Sequence, residues 1–316
     1  MLKFLKNWTL PLAMFAGAIG YFLLANVTIL EPAKPFVNWL IAVLTPFLIF
    51  AQLLLTFCKI EPKELLPKAW HVWLLSIQAV SSGIIALLLI FCPMEEAYRD
   101  IFEGAMVCLI CPTATAAAVI TGKLGGSAST LTTYTLLSNV LAAIAVPLVF
   151  PLVEPHADIT FVVAFLKILS KVFPLLLAPF FIALLFRYYI PSVHRLLSKY
   201  HGVAFYLWAV ALTIVTGQTV RSLVTAAADV SIEIMIALAG LATCCLQFYF
   251  GKRIGSAYHD RISAGQALGQ KNTVLAIWMA VTYLNPLSSV GPSSYVVWQN
   301  IFNSYQLWKK RKSEMK

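Results

Sequence analysis

The sequence predicts an all-α integral membrane protein of ten transmembrane helices, arranged as two inverted five-helix repeats. Three observations predict it. First, 60% of the 316 residues are apolar and only 11% are Asp, Glu, Lys or Arg, against about 25% in a soluble domain. Mean hydropathy is +0.83. A soluble chain of this length has too much surface for so few charges, and a disordered chain needs the opposite composition. Second, the apolar residues fall into long runs of the length that crosses a bilayer core, about 20 residues. Third, two of those runs are interrupted at matching places in the two halves. The net charge of +10 suits a nucleic-acid binder, but the basic residues lie in small clusters between apolar runs. No nucleic-acid partner is expected.

The ten runs cover residues 10–30, 36–58, 70–92, 101–121, 126–150, 159–189, 202–222, 229–251, 262–284 and 288–308. Glu31, Pro32, Lys34 and Pro35 separate the first two, and residues 61–68, rich in Pro, Glu and Lys, separate the next pair. Pro191 and Ser192 open the 6–7 connection, and Gly251, Lys252 and Arg253 open the 8–9 connection. With the N-terminus in the cytoplasm, 17 of the 23 Lys and Arg fall on the inner side. Lys34, Arg99 and Arg221 fall outside, in company with Glu31, Glu95, Glu96, Asp100, Glu103, Glu154, Asp158 and Asp229. The positive-inside rule then places both termini in the cytoplasm. Three basic residues remain within spans: Lys167, Lys171 and Lys271. The first two can snorkel to an interface. Lys271 is the basic residue that topology explains least.

The start of the chain, with Lys3 and Lys6 before an apolar stretch, lacks a convincing signal-peptide cleavage site and reads as the first helix. Cys108 and Cys111 form a CxxC, but no neighbouring His, Cys or acidic pair completes a metal site. Cys58, Cys92, Cys244 and Cys245 read as core or lipid-facing residues. No metal and no organic cofactor is expected, and the basic C-terminal tail reads as a topology signal.

Two segments do not read as ordinary lipid-facing helix. In the fourth span, Pro112 removes a backbone donor and ends a helix. Thr113 and Thr115 follow, with hydroxyls suited to capping a restarted helix. Ala114 and Ala116 to Ala118 permit close backbone approach. In the ninth span, Gln266, Gln270, Lys271, Asn272 and Thr273 form a polar run that must face protein or a water-filled cavity, and Gly265 and Gly269 permit a kink. Span four is the fourth of the first half (1–156), and span nine is the fourth of the second half (157–316). Interrupted helices at corresponding positions of inverted repeats point to the binding site of a secondary transporter.

On these residues, Cys111 and Pro112 with the run to Pro147, and Gly269 to Ala276, the chain resembles the bile acid/sodium symporter family, bacterial branch, over nearly its whole length. The resemblance implies secondary carriage of organic anions by alternating access. It implies a panel domain (spans 1, 2, 6 and 7), a core domain (spans 3, 4, 5, 8, 9 and 10), broken helices four and nine that cross in the core, and a bacterial inner-membrane location. Bacterial members read Pro-Gly-Gly-x-Ser/Ala-Asn-x-x-Thr after the first break, the Ser-Asn pair supplying sodium ligands. Here Pro112 is followed by Thr113, Ala114, Thr115 and Ala116, the ligand pair is matched by Ala117 and Ala118, and Thr121 follows. On span five, Leu131 stands at one ligand position, Thr135 is kept, and Ser138 and Asn139 lie one turn on. The second break, Glu-x-Gly-x-Gln-Asn in the family, reads Ala267, Leu268, Gly269, Gln270, Lys271, Asn272. Gly269 and Asn272 are retained, whereas the acidic ligand is Ala267 and the Gln is Lys271.

Alanine methyls do not coordinate a hard cation, and an ammonium at the second sodium position repels one. Sodium coupling is therefore expected to be lost or altered at the usual two sites. Three roles stay open for Lys271: a structural bond to carbonyls freed by the crossing, neutralisation of a substrate carboxylate, and proton exchange in a proton-coupled or uncoupled facilitator. The expected partners are a small or amphipathic organic anion and membrane lipid, and a monomer suffices. A channel and a transport-inactive receptor are the alternatives. An enzyme is not expected, because no span offers paired carboxylates or a nucleophile with its base. Weaker candidates are Glu233, and Gln218, Thr219 and Arg221 near the end of span seven. His194 and His201 read as solvated loop residues. Trp39, Trp70, Trp73, Trp208, Trp298 and Trp308 read as an aromatic belt.

Overall fold

The computed structural model describes residues 2–155, 158–200, 203–225 and 229–314. His201 lies outside the described residues. The helices are α1 (Leu2–Asn26), α2 (Lys34–Phe57), α3 (Ala69–Phe91), α4 (Glu96–Ile110), α5 (Ala117–Leu124), α6 (Ala128–Val153), α7 (Phe161–Tyr189), α8 (Pro191–Lys199), α9 (Val203–Thr225), α10 (Val230–Ala257), α11 (Arg261–Gly269), α12 (Thr273–Tyr283) and α13 (Val290–Glu314). Three short 3-10 segments complete the described secondary structure, apart from one isolated backbone bridge. Among the described residues, six segments are long and apolar enough to cross a membrane: Thr28–Phe57, Ala69–Phe91, Ala128–Val153, Phe161–Tyr189, Val203–Thr225 and Val230–Ala257. Pro11–Asn26 and Thr273–Tyr283 are shorter apolar helices. The protein is an all-helical integral membrane protein.

Both interrupted runs break. The fourth is two helices. α4 stops at Ile110 because Pro112 forces the preceding residue into extended backbone, and Cys111 has φ −62° and ψ 139°. α5 is closed by Gly125 in the left-handed region, φ 88°, where glycine bears no Cβ penalty. α4 also starts earlier than the sequence suggests, so Asp100 and Glu103 lie within it and are buried. In the ninth run, α11 stops at Gly269 and α12 starts at Thr273. Gly265 is not a kink. It stays helical, and the stem of Lys252 lies over it.

Three further expectations need correction. Thr113 and Thr115 do not cap α5, whose N-cap is Ala116 with no side-chain bond. The Thr113 hydroxyl is committed elsewhere, to the Ala267 carbonyl. His194 is not in a loop but in α8, a short helix with Pro191 at its first position, where proline's missing N–H costs nothing. Trp70 is not a belt residue. It is 1% exposed and stacks on Tyr134 at 6.1 Å. Trp39, Trp73 and Trp308 are exposed.

The chain divides into two compact units, Met1–Lys59 with Ala178–Ala227, and Ile60–Leu177 with Ala228–Lys316. Each draws on both halves of the sequence. In the first unit, α1 packs on α9 at Gly17, where a Cβ would run into the Thr213 carbonyl. Phe57 meets Phe180 edge-on at 5.6 Å, and Ser198 donates to the Cys58 carbonyl at 2.9 Å. Arg221 reaches Asn38 at 3.5 Å, and Glu233, in the other unit, lies in the first turn of α10.

In the second unit α10 packs on α4, α11 and α13. One cluster ties three of its helices together. Nε of Arg99 lies 3.1 Å from Glu154 and 3.3 Å from Glu103, and the same guanidinium donates to the carbonyls of Leu89 and Val153. Glu103 in turn accepts from the Asn285 backbone at 3.3 Å. A guanidinium fork suits this task, presenting five donors in a fixed geometry.

Candidate functional site at the crossing of the two broken helices

The two breaks meet. Thr113 and Lys271 form an antiparallel backbone bridge. Ala114 N donates to the Gln270 carbonyl at 3.0 Å, and Asn272 N donates to the Pro112 carbonyl at 2.9 Å. Non-helical backbone at membrane depth needs such internal partners, and here each break satisfies the other.

The end of α4 leaves carbonyls without helical partners, and side chains from three directions fill them. Gln247 on α10 donates to Cys108 at 3.3 Å. Gln78 on α3 donates to Ile110 at 2.9 Å and to Cys111 at 3.2 Å. The Lys271 ammonium donates to Leu109 at 3.1 Å and to Cys111 at 2.9 Å. Lys271 is 1% exposed, and among the described residues no carboxylate pairs with it. Its charge faces the negative end of the α4 dipole, a favourable place for a cation.

The end of α11 is treated likewise. The Ala267 carbonyl accepts from Thr113 Oγ1 at 2.6 Å and the Gly269 carbonyl from the Tyr295 hydroxyl at 2.8 Å. Gln299 on α13 clamps the Lys271 backbone from both sides, accepting from its N–H at 2.9 Å and donating to its carbonyl at 3.3 Å. Asn272 restarts the chain as the N-cap of α12, its side chain accepting from Leu275 N at 3.3 Å. Gly269 must be glycine, because a Cβ there would stand 2.5 Å from Cγ of Phe248.

The expected site residues do not all meet at one place. Pro112, Thr113, Ser138, Lys271 and Asn272 meet at the crossing, with Ser138 Oγ accepting from Thr113 N at 3.2 Å. Thr135 bonds back to the Leu131 carbonyl of its own helix at 3.1 Å. Gln266 and Gln270 lead away along α13, toward Gln306 and Asn303. Asn139 and Thr121 are fully buried with side-chain atoms that have no partner, and Thr115 is half-buried. Ala117, Leu131 and Ala267 belong to one apolar cluster with Trp70, Leu74, Tyr134, Ala264 and Leu268, and Ala118 packs at its margin.

Sequence reading missed the donors Gln78, Gln247, Gln299 and Tyr295. A signal was present for three of them. Gln78 and Gln247 are isolated amides in apolar helices, and Gln299, Asn303 and Gln306 fall at helical spacing on one face of α13.

Comparison with known proteins places these observations in a family. No curated protein matches the chain. The family model described as the sodium bile acid symporter family matches residues 46–226, more than half of the chain, and includes the first break but not the second. The chain belongs to the sodium bile acid symporter family, a family of membrane transporters.

Proposed function

We propose that the protein is a secondary carrier of a small or amphipathic organic anion that works without sodium at the family's two usual positions. The observation that carries this reading is the Lys271 ammonium, bonded to the carbonyls of Leu109 and Cys111 inside the crossing. A fixed cation stands there in place of a diffusible one. The apolar cluster is the second support. Ala117, Ala118, Leu131 and Ala267, which stand at ligand positions in the resemblance, lie in this cluster or at its margin and offer no side-chain oxygen. Sodium requires oxygen ligands, as hard cations do, so these four positions do not fit it.

Lys271 is read as a structural cation in this state. Both bonds of its ammonium go to backbone carbonyls, which leaves substrate neutralisation and proton exchange without a supporting contact. The ten-span count follows from pairing α4 with α5 and α11 with α12 as two broken spans, and α8 as a connector. Spans 1, 2 and 7 fall in the first compact unit, whereas span 6 is divided between the two units after Leu177; this supports in part a panel of spans 1, 2, 6 and 7 and a core of the remainder, with alternating access between two states. The Lys/Arg distribution supports both termini in the cytoplasm, and the resemblance to the bacterial branch of the family supports a bacterial inner membrane.

The test is counterflow in proteoliposomes, with a labelled bile acid and a panel of smaller carboxylates, in sodium, potassium and choline salts. Exchange stimulated by internal substrate, equal in the three salts, is the expected result. A strict sodium requirement contradicts the coupling, and the absence of exchange for every organic anion contradicts the carrier reading.

A further inference from the structure

Three cations from three helices converge at one end of the second unit. Lys252 on α10 is half-buried. Its stem lies over Gly265 of α11, and its ammonium stands 5.8 Å from the Phe248 ring centroid. Arg261, the first residue of α11, lies one turn before Gly265, and Lys309 lies two turns beyond Phe302 of α13, whose ring stacks on Phe248 at 5.2 Å. Like charges gathered at one end of a unit repel, and among the described residues no carboxylate forms an ion pair with any of the three. The neighbouring acids are committed. Asp260 pairs with Lys68 at 3.2 Å and accepts from Thr130 at 3.5 Å, and Glu314 pairs with Lys310 at 3.4 Å.

The depth of this triad is marked by exposed aromatic side chains on the same helices: Tyr249, Phe250, Tyr305 and Trp308, with Tyr258 just beyond α10. Tyr and Trp gather at the headgroup level of a bilayer. The basic loops around the triad belong to the side that the Lys/Arg distribution assigns to the cytoplasm. Basic pockets between helices at that level fit anionic headgroups.

We propose that Lys252, Arg261 and Lys309 bind the phosphate of an anionic phospholipid headgroup. The lipid supplies the counter-charge that the described residues lack and bridges α10, α11 and α13. The inference is independent of the transported substrate and of sodium. If the three residues serve only to orient the protein, they are interchangeable with the other basic residues at that end.

The experiment compares two triple variants of the whole protein in nanodiscs of mixed phosphatidylglycerol and phosphatidylcholine. One is Lys252→Met, Arg261→Gln and Lys309→Gln, where methionine keeps the apolar stem over Gly265. The other is Arg253→Gln, Arg311→Gln and Lys312→Gln, which removes equal charge from the same end. Lipid retained after detergent washing is counted by native mass spectrometry, and thermal stabilisation by added phosphatidylglycerol is measured in parallel. Preferential phosphatidylglycerol retention by the unmodified protein, weakened roughly tenfold or more in the first variant alone, is expected. Equal weakening in both variants, or none in the first, overturns the site. Inorganic phosphate stabilising the protein as well as lipid does overturns the lipid assignment. Should the first triple variant fail to fold, the single Lys309→Gln change on an exposed side chain gives the same comparison against Lys312→Gln.

Discussion

Thr113 and Lys271, 158 positions apart in the chain, are paired backbone to backbone where two broken helices cross. The bridge brings the Lys271 side chain to the carbonyl end of α4, where its ammonium serves Leu109 and Cys111. Four consequences are measurable.

Replacing Lys271 with methionine keeps the stem and removes the charge. The Leu109 carbonyl then loses its side-chain donor, while Cys111 keeps Gln78. An unsatisfied buried acceptor costs about 1–3 kcal/mol, and unfolding in detergent should show a loss of that size. An unchanged midpoint would show that the ammonium holds nothing together.

Ala267 is buried in an apolar cluster. Restoring the family's acid by Ala267→Glu puts a larger, ionisable group into packed space. Overpacking alone costs about 1–3 kcal/mol, so this variant should be destabilised whether or not sodium is present. Sodium-dependent recovery of its melting temperature would show that the site is latent rather than filled.

Gly269→Ala sets a methyl against the Phe248 ring. A loss of about 1–3 kcal/mol is expected, partly relieved by Phe248→Leu in the same chain. A double-mutant cycle measures the relief, and strict additivity would place the strain elsewhere.

Arg99→Ala leaves Glu103 buried without its cation and uncovers the Leu89 and Val153 carbonyls. Leaving buried acceptors without their donor costs about 1–3 kcal/mol, which unfolding in detergent measures. Adding Glu103→Gln should recover part of the loss, because a neutral amide needs no counter-charge. A double variant no more stable than Arg99→Ala would contradict the pairing.

What the sequence made legible was the set of local rules. Pro112 dictates the end of α4, and the polar run at 266–273 dictates that its segment faces protein. The partners of those breaks were not legible, because Gln78, Gln247 and Gln299 lie far from them in sequence and meet them only through helix packing. The role of Thr113 was misread for the same reason. A threonine after a break suits a cap locally, but the Ala267 carbonyl across the crossing accepts its hydrogen bond. Lys271 stood out by elimination, since topology explained nearly every other basic residue, yet its two carbonyl partners follow only from the antiparallel bridge.

The central claim is that a tethered ammonium and an apolar cluster stand where the family binds sodium. Equilibrium binding of radiolabelled sodium to the purified protein tests it without knowledge of the substrate. The account predicts no saturable binding above that of heat-denatured protein, at any sodium concentration that saturates a specific site. Saturable binding with a stoichiometry near one or two ions per chain would contradict it.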